Sequence, residues 1–248
     1  MQEAVHGCRM FILCNPHNPA GRVWRRDELE RVSDICRRHH VRVIADEIHC
    51  ELVMPGYEYT PFASLSDETS AITVTLNSPS KSFNTAGLMQ SNVICSDIEM
   101  RRRIDRVINI FEVCEVNPFG PAALVAAYNE SEEWLDELNR YLYDNYLELK
   151  RFFAEYMPKI EVLKLEGTYL VWVDISALEF TSDELEAKLR DEGKVYLNSG
   201  TMYGRRAGQG YMRINIACPR SRMIDGLTRM AKVIAPCMED DCDMGCPS

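Results

Sequence analysis

The feature that most constrains this chain is a recurrence of short apolar runs, each stopped by polar, loop-forming residues. Met10 to Cys14, Arg42 to Ala45, Ala71 to Leu76 and Ser91 to Cys95 all have the length and β-branched or aromatic content of buried strands. Between the first two lies a stretch from about Asp27 to His39, where Leu29, Val32, Ile35 and Cys36 fall on one face at helical spacing. Strand, helix, strand in that order predicts an α/β fold with half of a mostly parallel sheet. After Asp97 the pattern turns helical. Its longest segment runs from about Glu132 to Met157, with Trp134, Leu135, Leu138, Leu142, Tyr146 and Leu149 in register. Strands then return (Glu161 to Leu165, Tyr169 to Asp174, Tyr211 to Ile216) with helices near Ser182 to Glu192 and Ser221 to Ile234. The expected organisation is a partial large domain over 1–130, a smaller α+β domain over 131–236, and a disordered tail over 237–248.

Several of these runs end at residues that can do chemistry. Lys81 sits in a hydroxyl-rich loop, Asn77-Ser78-Pro79-Ser80-Lys81-Ser82, directly after a strand, and α/β enzymes place ligands beyond the carboxyl ends of strands. An amine there can attack a carbonyl; a surface lysine in a loop is the ordinary alternative. Asp46 closes Val41 to Ala45 and needs a cation, a ligand, or a following helix to cap. His49 lies one turn on. In Asn15-Pro16-His17-Asn18-Pro19, two prolines fix the turn and remove donors, which leaves the Asn18 amide available to a ligand oxygen; a rigid turn ahead of the helix is the competing reading. Arg213 stands in the alternating segment Tyr211 to Cys218, where its guanidinium requires an anion, either a ligand carboxylate held by two parallel bonds or a structural Asp or Glu.

Composition excludes more than it selects. The net charge is -10 over 248 residues, and the arginine clusters at 101–103 and 205–206 fit solvated faces, so nucleic-acid binding is not expected. No run of about 18 apolar residues and no opening signal segment point to a membrane or secretory route. Most of the ten cysteines sit in apolar runs, as Cys14, Cys36, Cys95 and Cys218 do, which suits free thiols in a reducing, cytoplasmic setting. Cys237, Cys242 and Cys246 crowd the acidic tail at a spacing that matches no zinc pattern, so no metal is expected.

Taken together and in order, FILCNPHNPAGRVW, VIADEIH, SPSKSFNTAGL and YMRINIACPRSR resemble the fold type I pyridoxal-phosphate enzymes, the aminotransferase class I and II superfamily. Within it they are most similar to the bacterial cystathionine β-lyase branch, the carbon–sulfur lyases that also include maltose-regulon repressor-like proteins. His49, where most aminotransferases have tyrosine, and the phrase Asn-Ile-Ala-Cys-Pro-Arg after Arg213 carry the branch resemblance. The resemblance implies Lys81 as Schiff-base lysine and general base, Asp46 as partner of the pyridine nitrogen and Arg213 as clamp for the α-carboxylate of an amino-acid substrate. It further implies Asn18 and His49 on the ring hydroxyl, Ser78 and Ser80 facing the phosphate, and a homodimer. The family's usual arginine soon after the lysine has no counterpart in Ala86 to Gln90. Nor do Met1 to Cys8 hold the family's N-terminal arm, phosphate-binding glycine turn or ring-stacking aromatic. The expected activity is β-elimination from cystathionine-like or cysteine-like amino acids. Transamination at the same site, or an inactive remnant or one part of a split enzyme, are the alternatives.

Overall fold

The computed structural model of the chain describes Met1 and residues 3–235; the expected disordered tail, with its three cysteines, lies outside the described residues. The chain divides into two compact units, one of Met1–Asn18, Arg22–Asn139 and Glu166–Thr168, the other of Pro19–Gly21, Arg140–Leu165 and the residues from Tyr169 on.

The first unit is built on β1 (Met10–Cys14), β2 (Arg42–Asp46), β3 (Thr73–Asn77) and β4 (Asn92–Ile94), hydrogen-bonded in that order. The first three run parallel and β4 antiparallel, so the expectation of a mostly parallel sheet holds. Helix α1 (Arg26–Arg38) crosses between β1 and β2, as a parallel pair requires. It starts where Glu28 turns back to accept the Arg25 N–H at 2.9 Å, and its acidic first turn and basic last turn complement the helix dipole. Leu29, Val32 and Cys36 are buried with Leu13, Val43, Ala45 and Phe62 in one core. That core covers one face of the sheet. The other face carries Met10 and Ile12, which are 55% and 65% exposed. Helix α3 (Ile98–Ile110) borders this second face along an open groove of about 720 Å³ lined by Met10, Ile44, Val74, Val93, Ile104 and Val107.

One expected strand begins later than the apolar run suggests. Ala71 and Ile72 belong to the short helix α2 (Asp67–Ile72), because Ser66 accepts the Thr69 N–H and Asp67 and Glu68 occupy its first turn. Helix α4 (Gly120–Glu130) opens with proline in its first turn. Helix α5 (Glu132–Tyr156) follows and contributes residues to both units.

The second unit holds an antiparallel sheet ordered β5 (Glu161–Val162), β6 (Leu170–Asp174), β8 (Tyr211–Asn215), β7 (Asn198–Ser199). Strand β6 is buried along Leu170 to Val173. Helices α6 (Ser182–Lys188) and α7 (Arg220–Ile234) bury Leu185, and Met223, Leu227, Met230 and Ile234. The expected helix to Glu192 ends as α at Lys188 and continues as one wider turn over Leu189–Gly193. Asn145 of α5 is fully buried and ties the chain after β8: its Nδ2 donates to the Ile216 and Cys218 carbonyls at 3.0 and 3.1 Å. Its Oδ1 accepts from Arg220 Nε at 3.1 Å.

Candidate active site

Parallel pairing sets the carboxyl ends of β1, β2 and β3 side by side. Cys14 is in register with Asp46, and Asp46 with Leu76, and the ladder continues past the strands where Asn15 N–H meets Asp46 O at 3.0 Å and Glu47 N–H meets Leu76 O at 2.9 Å. Residues in parallel register point to the same face, so Asp46 lies with Cys14, Ile12 and Ile44 on the face that α1 does not cover. Its carboxylate accepts the Ile48 N–H at 3.3 Å in a turn, where a long helix would have given Asp46 an N-cap role. The Cys14 thiol links two of the predicted residues: burial pushes its pKa up, the Asn18 backbone N–H opposes that shift, and the Asp46 charge adds to it. The Asn18 N–H and the Asp46 charge therefore both act on one thiol.

The turn that carries Asn18 is fixed by a residue absent from the sequence expectations. Asn15 is fully buried; its Oδ1 accepts the Trp24 N–H at 3.1 Å and its Nδ2 donates to Thr60 O at 3.4 Å. The Asn15–Pro16 bond is cis. Gly167 packs so closely against this region that a Cβ would come within 3.0 Å of Pro16 Cβ and the Leu52 carbonyl.

The turn after β2 holds His49, which is buried, and Glu47, 3% exposed. Glu47 accepts the Phe62 N–H at 2.9 Å and a hydrogen bond from Tyr59. Burial raises its pKa above the ordinary carboxylate value, and these hydrogen bonds oppose the shift. Glu47 thus fastens the segment after His49 beneath the strand that bears Asp46.

Lys81 sits half-buried in the loop after β3, and that loop is fixed from both sides. Ser78, 2% exposed, donates its hydroxyl hydrogen to Gln90 O at 2.6 Å and accepts the Ser80 N–H at 3.1 Å. Beyond the lysine, Phe83 N–H donates to Pro79 O at 2.9 Å, and the Phe83 ring stacks on Trp134 with centroids 5.8 Å apart and meets the edge of Tyr128. Asn18, Asp46, His49, Ser78, Ser80 and Lys81 all belong to the first unit, at the carboxyl end of its parallel strands.

Arg213 belongs to the second unit, half-buried on β8 in register with Trp172 and Asn198. Its Nη2 donates to Asn198 Oδ1 at 2.7 Å, and its guanidinium carbon lies 4.8 Å from the Tyr203 ring centroid. Trp172 stacks on Tyr211 and meets the edge of Tyr203, so an aromatic wall orients the cation. An amide and a ring thus help to orient the guanidinium.

An amide, a carboxylate and an amine thus stand at or just past the ends of three successive parallel strands. The chain belongs to the aminotransferase class I and II family, whose profile matches residues 1–229. It is 40% identical to cystathionine β-lyase PatB of Bacillus subtilis over 226 residues, 91% of this chain and 58% of that protein. Among solved structures it resembles cystalysin of Treponema denticola, which contains pyridoxal 5'-phosphate, with TM-score 0.89, 34% identity and coverage of 92% of this chain and 58% of that one. It also resembles a PLP-bound protein of Clostridium difficile 630 provisionally classed as an aminotransferase, with TM-score 0.91, 42% identity and coverage of 94% and 61%. The chain spans about three-fifths of the length of these relatives. Among the described residues no helix is long and apolar enough to cross a membrane.

Proposed function

We propose that this chain carries the larger part of a pyridoxal-phosphate site of the carbon–sulfur β-lyase type, which takes cystathionine-like or cysteine-like amino acids to pyruvate, ammonia and a thiol. The observation that carries this reading is the joint position of Asp46 at, and Lys81 beyond, the carboxyl ends of adjacent parallel strands. The donor set suits the cofactor: one loop amine, one carboxylate on the open sheet face, an amide, an imidazole and two hydroxyls. When bound, pyridoxal phosphate supplies an aldehyde that captures amines and a ring that takes up electrons from Cα.

Asp46 would keep the ring nitrogen protonated, because a carboxylate beside a cation favours the charged form. Asn18 and His49 would hydrogen-bond the ring hydroxyl. Ser78 gives its hydrogen to Gln90 here, so it would shape the phosphate loop while Ser80 donates. Arg213 would clamp the α-carboxylate through its planar fork. With the carboxylate held, Lys81 would take the Cα proton onto Nζ, and departure of a thiolate from Cβ completes the elimination. The rest of the cup would come from residues beyond this chain, in an N-terminal portion and in the second subunit of a homodimer. The groove beside Met10 and Val93 is the surface an N-terminal portion would cover.

The likeness to a protein classed as an aminotransferase supports transamination as the second reading. Pyruvate released from cystathionine without added keto acid is the expected result; strict dependence on a keto acid would refute the lyase reading in favour of the second.

A further inference from the structure

A buried serine beside Lys81 donates to a carboxylate that none of these roles uses. Ser82, fully buried and adjacent to Lys81, donates its hydroxyl hydrogen to Glu51 Oε2 at 2.6 Å. Burial and the Glu51 charge together raise the pKa of the Tyr128 hydroxyl and the Cys50 thiol. The backbone of Glu51 is held as well, since Asn139 Nδ2 donates to its carbonyl at 2.9 Å. Glu51 lies two residues past His49 and five past Asp46, whereas Ser82 lies 31 residues further along the chain. One carboxylate therefore joins the turn that carries Asp46 and His49 to the loop that carries Lys81.

The geometry assigns Glu51 as the residue that positions Lys81. The reason is the character of the bond. Ser78 and the Phe83 N–H tie the lysine loop to itself and to Gln90, whereas the Ser82–Glu51 bond ties it to the turn after β2. A hydrogen bond to an ionised acceptor is shorter and stronger than a neutral one. Tyr128 adds support to the loop where its ring meets Phe83 edge-on, centroids 5.9 Å apart. An amine and a carboxylate that must act on one ring have to be held within a fraction of an ångström, and the two loops have no backbone continuity to enforce that. A glutamine at this position offers Ser82 a neutral acceptor in place of a charged one, and a bond to a neutral acceptor is weaker.

The inference rests on Lys81 being the cofactor lysine, so its test has one arm without cofactor. Glu51→Gln and Ser82→Ala are compared with the parent chain by amide exchange and by reductive labelling with pyridoxal phosphate and cyanoborohydride, mapped by mass spectrometry. Exchange in the peptide around Ser82 and Phe83 should quicken by about tenfold or more in both variants while β1 and β2 keep their protection. Label on Lys81, taken relative to the exposed Lys194 and Lys232, should fall in both, and the double variant should lose little more than either single one. Unchanged exchange around Phe83 would overturn the inference. So would an unchanged Lys81 ratio in loosened variants, or exchange that rises equally across β1 and β2, since each makes Glu51 merely structural. A parent chain labelled without preference for Lys81 would instead defeat the cofactor reading, and the exchange arm would still decide whether Glu51 holds the loop.

Discussion

Replacing Glu47 with leucine tests how the site is held beneath Asp46. The leucine fills the space but orphans two donors: the N–H of Phe62, a fully buried residue, and the Tyr59 hydroxyl. Each buried donor left unpaired costs about 1–3 kcal/mol, partly offset because a carboxylate no longer has to be desolvated. The net expectation is a loss of about 2–4 kcal/mol. Glu47→Gln is the control, since its amide oxygen still accepts, and it should stay within about 1 kcal/mol of the parent at neutral pH. The two variants also separate on pH. Burial raises the folded-state pKa of Glu47 from 4.5, so the fold binds this proton more tightly than the unfolded chain does. That contribution is complete below pH 4.5 and is lost as pH rises through the raised folded value. Parent stability should therefore decline as pH rises out of the acid range, and Glu47→Gln should flatten that decline. Urea unfolding across this pH range, with amide exchange in β2 to localise the change, reads both effects. A leucine variant within about 0.5 kcal/mol of the parent, or a glutamine variant with the parent's full pH dependence, would refute the reasoning.

Lys81→Ala should abolish the adduct formed by pyridoxal phosphate and borohydride; a specific adduct surviving on another lysine would remove Lys81 from the site. Arg213→Ala should weaken amino-acid binding by about 2–5 kcal/mol, the cost of truncating one partner of a buried charge pair, and titration with a cysteine-like ligand checks it. Ile12→Lys alters a side chain that is 65% exposed on the open face. It should change the stability of this chain by less than about 0.5 kcal/mol yet weaken association with a separately made N-terminal portion, as sedimentation of the mixture would report. Gly167→Ala would set a methyl 2.8 Å from Val23 Cγ2 and 3.0 Å from Leu52 O. It should destabilise the first unit by about 1–3 kcal/mol, measurable by urea unfolding.

By itself the sequence determined the strand–helix–strand order, the amphipathic face of α1 and the positions of Lys81, Asp46, Asn18 and Arg213 at or just past strands. Those are local properties, readable from periodicity and from the polar residues that stop each apolar run. One shift of boundary, α2 reaching Ile72, arose because an N-cap at Ser66 outweighed the β-propensity of the run. Only the tertiary structure decided what holds the site. Asn15, Glu47 and Glu51 look like ordinary polar loop residues in the chain, and each acts through a partner 9 to 45 residues away. No periodicity encodes such distances. The same holds for the open sheet face: alternation predicts that Met10 and Ile12 share a side, but which side α1 covers depends on the hand of the crossover. The candidate site residues could be placed on the fold by sequence because they stand where strands end, whereas their support is long-range and had to be found in the fold.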